Sequence, residues 1–369
     1  MKKCPTAALA LVLAGTAPLA VAADWQPLPN KAPEPADNPT TPAKVELGKM
    51  LYMDPRFSAT GTVSCNTCHN VMLGGEDNRH FSMGVHGQMG GRSAPTVWNS
   101  AFSSVQFWDG RAPSLEEQAK GPVANPVEMG MKDVDVAMNR VRQIPGYKPY
   151  FEKAFGPDSM TVANAAKAVA AYERTLITPN SAYDRYVKGD NKAMTEQQVR
   201  GMNAFAEVGC TSCHSGPAFN GPTLPEGTGF FMKFPTFADN AYEKKYAFMK
   251  DLGRHDVTKN EGDKHMFKVP TLRNIALTAP YFHNGSVPTL AALLDSSLRR
   301  ARYVIGRGRD AYDLDAVGWQ TWDADASPGI DPRWVYDASA PGYSNAGHTF
   351  GDTLSAEDRR ALLEYLKGI

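Results

Sequence analysis

Two short stretches bring together residue types that can do chemistry: Cys65-Asn66-Thr67-Cys68-His69 and Cys210-Thr211-Ser212-Cys213-His214. In each, two thiols stand three residues apart and an imidazole follows the second. C-x-x-C-H is the pattern of covalent c-type haem attachment, in which the thiols become thioethers to the porphyrin and the histidine gives the iron an axial nitrogen. A redox dithiol, a zinc site and short-loop disulfides are the competing readings. The chain has five cysteines. The fifth, Cys4, lies in a stretch that reads as an export signal: Met1-Lys2-Lys3, an uncharged run from Ala7 to Ala22, and Ala20-Val21-Ala22 as an A-x-A-like cleavage site. Cleavage leaves four cysteines, all of them in the two motifs. Four cysteines in an exported protein would ordinarily suggest disulfides. Two copies of one pattern with none left over favour two covalent haems instead, with His69 and His214 as proximal ligands.

The elements that must position these motifs read as helices joined by long loops. Thr195-Glu196-Gln197-Gln198 is a capping box opening a helix that ends just before Cys210. Ala163 to Leu176 is alanine-rich without a breaker, and Ser355 to Asp358 starts a last helix with Leu362, Leu363, Tyr365 and Leu366 on its apolar face. Apolar residues at 42% and charged residues at 21% exclude a disordered or polytopic membrane chain. The equal counts of 39 basic and 39 acidic residues argue against a nucleic-acid binder. No second long apolar run follows the signal, so no membrane span is expected. A length of 369 residues suggests two domains. The expected division is a signal peptide over 1–22, a flexible Pro-rich lead-in over 23–42, an N-terminal haem domain over 43–190 and a C-terminal haem domain over 191–369. Beyond the two cysteine motifs we read no longer internal repeat.

Between the motifs the chain resembles the bacterial di-haem cytochrome c peroxidase family, which includes the di-haem enzymes that form tryptophan tryptophylquinone. The matching stretches are Leu47 to Arg56, Ser64 to His69, Ala94 to Val97, Gln106-Phe107-Trp108-Asp109-Gly110-Arg111, Asn125 to Met129, Lys268 to Asn274, and Tyr281-Phe282-His283-Asn284-Gly285. The resemblance implies a mainly α fold of two cytochrome c-like haem domains with long loops. It makes the His69 haem the peroxidatic one and the His214 haem the entry point for electrons. It assigns Glu128 as acid–base residue, Gln118 as distal amide and Trp108 as electron relay between the haems; without the family, Glu128 and Gln118 read as solvated surface residues and Trp108 as a core aromatic. The family's gating loop corresponds to Ser82 to Gln88. Val85 stands at the position of the gating histidine and His86 one residue later, so His86 is the candidate gate, with His80 a weaker one. The resemblance also implies a calcium ion on the carbonyls of Thr278 and Pro280, with Ser93 replacing the usual asparagine. His283 is expected near a haem propionate, and His255 and His265 at the surface.

The match breaks down after Leu294. The position of the usual distal methionine of the second haem is Ser297, which is no iron ligand; Tyr303 lies six residues on. The tail Gly342 to Gly351 resembles that of rubber-oxygenase-type di-haem cytochromes and makes His348 the expected distal ligand. The implied activity is periplasmic reduction of hydrogen peroxide to water, with electrons from a small cytochrome c or cupredoxin. The alternatives are a di-haem oxidase acting on a protein or small molecule, and a non-catalytic electron-transfer cytochrome. A homodimer is expected from the family alone.

Overall fold

The apolar face of the helix before each cysteine motif must be covered, and in both halves the cover is a long helix from later in that half. The computed structural model describes residues 24–233, 251–306, 311–326, 329–330, 335–338 and 345–369; the signal peptide read over 1–22 lies outside them. The first half runs through α1 (Pro42–Met53), α2 (Cys65–Cys68), α3 (Leu115–Gln118), α4 (Gly121–Ala124), α5 (Val134–Arg142), α6 (Lys148–Phe155), α7 (Val162–Glu173) and α8 (Ala182–Val187). The second holds α9 (Glu196–Glu207), α10 (His255–Thr258), α11 (Leu290–Leu294) and α12 (Ala356–Leu366). The capping box before α9 forms as expected: Thr195 Oγ1 accepts from Gln198 N at 3.1 Å and Thr195 N donates to Gln198 Oε1 at 3.0 Å.

The α1–α7 and α9–α12 pairs cross in the same way. A Cβ on Gly48 of α1 would overlap the Ala168 carbonyl and crowd Tyr172 of α7. A Cβ on Gly201 of α9 would overlap the Ala361 carbonyl and crowd Tyr365 of α12. Only glycine lets the backbones come this close. One core gathers around Leu47, Leu51, Tyr52, Val141, Phe151 and Val169. The other gathers around Phe205, Phe219, Leu290, Leu362, Tyr365 and Leu366.

The halves share a second feature. Residues 94–118 and 269–293 align without a gap, pairing Pro95 with Pro270, Thr96 with Thr271, Asn99 with Asn274, Phe107 with Phe282, Gly110 with Gly285 and Leu115 with Leu290. The backbones agree as well: Asn99 and Asn274 are left-handed at φ 62° and 60°, and Phe107 and Phe282 at 65° and 74°. Asn99 and Asn274 both donate to Thr178 Oγ1, at 2.9 and 3.1 Å. Ser93 N donates to the His283 carbonyl at 2.8 Å, and Lys268 N to the Trp108 carbonyl at 2.7 Å. The two stretches are thus related as by a local two-fold, with Trp108 and His283 facing each other at 6.2 Å. This corrects the expectation of no longer repeat. Its identities fall mainly on turn and cap positions, where backbone geometry restricts the residue, and are diluted elsewhere.

Two further expectations change. The chain is about 38% helix and 10% strand, so "mainly α" holds only loosely. β1 (Phe231–Lys233) pairs with β2 (Met266–Lys268); β3 (Arg302–Ile305) is the centre of a three-stranded antiparallel sheet, and β4 (Tyr312–Asp313) pairs with β5 (Gly318–Trp319). The outer strands of that sheet are β6 (Thr321–Asp323) and β7 (Val335–Asp337). The lead-in, described over 24–42, is packed rather than flexible. Trp25 lies against Tyr183, Phe205 and Tyr365, and Leu28 N donates to Asp184 at 2.8 Å. Burial of Trp25 and Leu28 offsets the entropy that a Pro-rich tail would keep. With α8 it covers the second core, so the spatial division does not follow the 190/191 boundary.

Gly48→Ala and Gly201→Ala should each destabilise the protein by about 1–3 kcal/mol through overpacking, although alanine is the better helix former. Denaturant unfolding of each variant measures this, and an unshifted midpoint would contradict the close crossing.

Candidate functional site

The two C-x-x-C-H histidines are held in one way. α2 carries Cys65 to Cys68, capped by Ser64 with Thr67, and His69 follows at its C-terminal end. His69 Nδ1 lies 2.8 Å from the Pro95 carbonyl, and His214 Nδ1 lies 2.9 Å from the Phe219 carbonyl. With Nδ1 donating, Nε2 presents a lone pair to a metal. Burial keeps both imidazoles below their ordinary pKa and therefore neutral. Burial also pushes the Cys65, Cys68 and Cys210 thiols up to about 12. All four cysteines of the two motifs are free of disulfide bonds. Among the described residues no group of three or more His, Cys, Asp or Glu could hold a metal ion. The donor set therefore fits haem, one thiol pair and one oriented imidazole per half. Beside Cys65 the pocket walls are apolar: Leu51, Phe57, Val123, Met129, Met138 and Val169.

Two carboxyls face Cys68. After burial itself, Asp77 and then Glu128 raise its thiol. Glu128 follows the short helix α4, and its Oε1 accepts from Asn125 Nδ2 at 2.6 Å. Burial raises the Glu128 carboxyl above its ordinary range, against the pull of Arg111 and the Asn125 bond. Arg111 is fixed by stacking 3.5 Å over Phe107 and by pairing with Asp109 at 2.9 Å. Gln118 ends α3, partly buried, and Ala119 beside it lines the pocket. Asp77, pushed up to about 6 by burial, was missed in the sequence, where nothing separates it from any loop aspartate.

The structure does not bring His86 into this pocket. Residues 82–90 form a tight hairpin, with Met83 bridged to Met89. Val85 N donates to the Glu128 carbonyl at 2.9 Å, and the Val85 side chain is buried with Val63, Val123 and Met129. Adjacent residues of a tight turn cannot both point inward, so His86, left-handed at φ 58°, is exposed. His80 turns the other way, its Nδ1 on the Gly285 carbonyl and its ring 4.7 Å from Tyr336.

Trp108 lies where the halves cross. Its Nε1 donates to the Ser93 carbonyl at 2.8 Å. Around it, Arg92 bridges Asp109 at 2.8 Å and Asp251 at 2.6 Å, and Arg254 donates to the Gly110 carbonyl at 2.7 Å. His283 stacks on Phe267 at 3.9 Å, and burial holds it down to about 3. The calcium set fits less well. Ser93 Oγ donates to the Arg79 carbonyl at 3.2 Å, so the hydroxyl meant to replace an amide ligand is turned into the protein. Beside Thr278 and Pro280, the carbonyls of Leu277 and Ala279 accept from Asn78.

At the second haem site Ser297 Oγ donates to Asp295 at 2.6 Å and Tyr303 donates to the Ser286 carbonyl at 2.6 Å, so neither is offered to iron. His348 is different. It is partly buried between Phe282 and Phe350, at 5.7 and 5.3 Å. Its Nδ1 has no hydrogen-bond partner. Burial, then the charge of His214, then Arg299 lower it to about 4. Arg299 clamps the segment by donating to the carbonyls of Asn345, Gly347 and His348. Sequence reading missed Arg299, although its place just after Ser297 was a signal.

A family model described as di-haem cytochrome c peroxidase matches residues 42–192, and one described as RoxA-like, cytochrome c-like matches residues 267–304. The chain is 44% identical to a cytochrome c551 peroxidase of Nitrosomonas europaea over 271 residues, which is 73% of this chain and 75% of that one. It is 43% identical to the cytochrome c551 peroxidase of Pseudomonas aeruginosa, over 71% and 74% of the two chains. Its fold is similar to a solved MauG-like protein associated with microbial copper homeostasis, with a TM-score of 0.69 and 27% identity over 94% of this chain and 93% of that one.

Replacing Cys65 and Cys68 together by serine should lower covalently bound haem from two per chain to one, and the Cys210/Cys213 double variant should do the same. Haem content after denaturation measures it.

Proposed function

This chain belongs to the di-haem cytochrome c peroxidase family, and from that premise we propose that it reduces hydrogen peroxide at the site attached through Cys65 and Cys68. It is an oxidoreductase carrying two haem c groups. The balance is one peroxide, two electrons and two protons to two waters. When bound, haem supplies an iron with an open coordination position for peroxide and a store for electrons. His69 Nε2 would hold the iron. Glu128 would take a proton from one peroxide oxygen and give it to the other, so that water rather than hydroxide leaves. Asn125 orients that carboxyl, and Gln118 serves as the amide of the same pocket. Electrons from a small redox protein enter the second half and pass by Trp108. The export pattern at residues 1–22 supports a periplasmic location.

The observation that carries this reading is Glu128, a partly buried carboxyl of raised pKa held by Asn125 near Cys68, with His86 exposed and turned away. On the same ground the enzyme needs no loop movement before it binds peroxide. His348 supports the distal ligand of the second haem, and two imidazoles give a lower potential than the family's histidine–methionine pair. That lower potential favours a second reading, an oxidase acting on a protein or small molecule. Rapid peroxide-dependent oxidation of a reduced cytochrome c or cupredoxin supports the peroxidase; no response to peroxide in the ferric or half-reduced protein would sink it.

Glu128→Gln should lower peroxide turnover by about 10²- to 10⁴-fold. Because Glu128 must start unprotonated, kcat/KM of the unaltered enzyme should fall as pH drops through a value above the ordinary carboxylate range, and this limb should vanish in the variant. His348→Ala should turn the second haem from low-spin to high-spin in its ferric spectrum; an unchanged low-spin signal rules out His348.

A further inference from the structure

A cleft of about 600 Å³ opens between the halves, its walls including Gln106, Arg174, Pro217, Ala218, Phe230 and Lys268. Its other charges are accounted for. Arg174 pairs with Glu116 at 2.8 Å, Lys31 pairs with Glu34 at 2.7 Å, and Glu226 is exposed at the rim. Lys268 is not. It is partly buried on the cleft wall, and burial alone draws its ammonium down to about 8, with no acid among the described residues offsetting it. Its backbone cannot move aside, because Lys268 pairs with Phe231 across β1–β2 and its N–H is bonded to the Trp108 carbonyl. The position related to it in the first half is Ser93, so the cation belongs to one side of the duplication only. A buried ammonium without a counter-charge is costly unless a partner arrives.

We propose that Lys268 is an anion-binding residue and that its partner in the cleft is a carboxylate. One source is a propionate of the haem attached through Cys210 and Cys213. Two links place Lys268 beside that pocket. Pro217 and Ala218 lead into Phe219, whose carbonyl orients His214, and the backbone of Pro270, two residues after Lys268, also bonds His214. The other source is a free carboxylate from solution. The inference does not depend on peroxide being the substrate.

The test uses the haem-loaded protein. Lys268→Met, Lys268→Gln and Lys268→Arg are compared with the unaltered protein and with Lys233→Met, an exposed lysine on β1. The potential of each haem is read spectroelectrochemically, with and without succinate at constant ionic strength. If a propionate is the partner, Lys268→Met lowers the ferrous-to-ferric ratio of the second haem, read at the midpoint of the unaltered protein, by at least about threefold. Arg retains the ratio, and succinate has no saturable effect. If a free carboxylate is the partner, succinate shifts the unaltered protein saturably and Lys268→Met abolishes the shift. Potentials that match the Lys233→Met control together with no saturable succinate effect overturn the proposal. Should the methionine variant fail to load both haems, Lys268→Gln and the succinate titration of the unaltered protein decide by the same criteria.

Discussion

Backbone against backbone at Gly48–Ala168 and Gly201–Ala361 is the contact on which the rest is built. Each fixes the helix before a cysteine motif against a later helix of its half, α7 in the first and α12 in the second. The first places Leu51 and Val169 on the wall beside Cys65, and the second places Phe205 and Tyr365 in one core with Phe219. Any side chain at the glycine would push the pair apart by the width of a methyl group, and a close-packed interior does not absorb that cheaply. The pocket walls are therefore set by two residues that have no side chain at all.

From these crossings the chain runs to a second shared device, the stretches 94–118 and 269–293. Each begins beside a proximal histidine: Pro95 accepts from His69, and the Pro270 backbone bonds His214. Each then turns through a left-handed asparagine onto Thr178 and presents one aromatic ring to the other half. The same duplicated stretch thus orients the iron ligands and forms the junction between the halves. The duplication is chemically unequal. Trp108 faces His283, Ser93 corresponds to Lys268, and Arg111 with its tie to Glu128 corresponds to Ser286. That inequality makes the two halves chemically distinct although they share one backbone plan.

Past Leu294 one arginine does much of the holding. Arg299 ties the carbonyls of Asn345, Gly347 and His348 into a fixed loop. With three carbonyls bound to one guanidinium, the backbone that carries His348 is held in place. The three-stranded sheet of β3, β6 and β7 meanwhile brings Tyr303 and Tyr336 against His80, which holds that histidine away from Cys68 and Glu128.

Some of this was legible in the residues. Two C-x-x-C-H motifs using every mature cysteine identify the cofactor, because thioether attachment requires that spacing and little else does. The cap boxes and apolar faces of α9 and α12 could be read because they are local. The repeat was legible too, at Pro-Thr-x-x-Asn and Phe-x-x-Gly, but its identities are thinly spread. What only the tertiary structure decided is which way single side chains face. Val85 is in and His86 out, Tyr303 is spent on a carbonyl, His348 keeps an unpartnered Nδ1, and Lys268 is left without an acid. Composition and spacing say which groups exist. Burial and partners across the fold say which are still free to act.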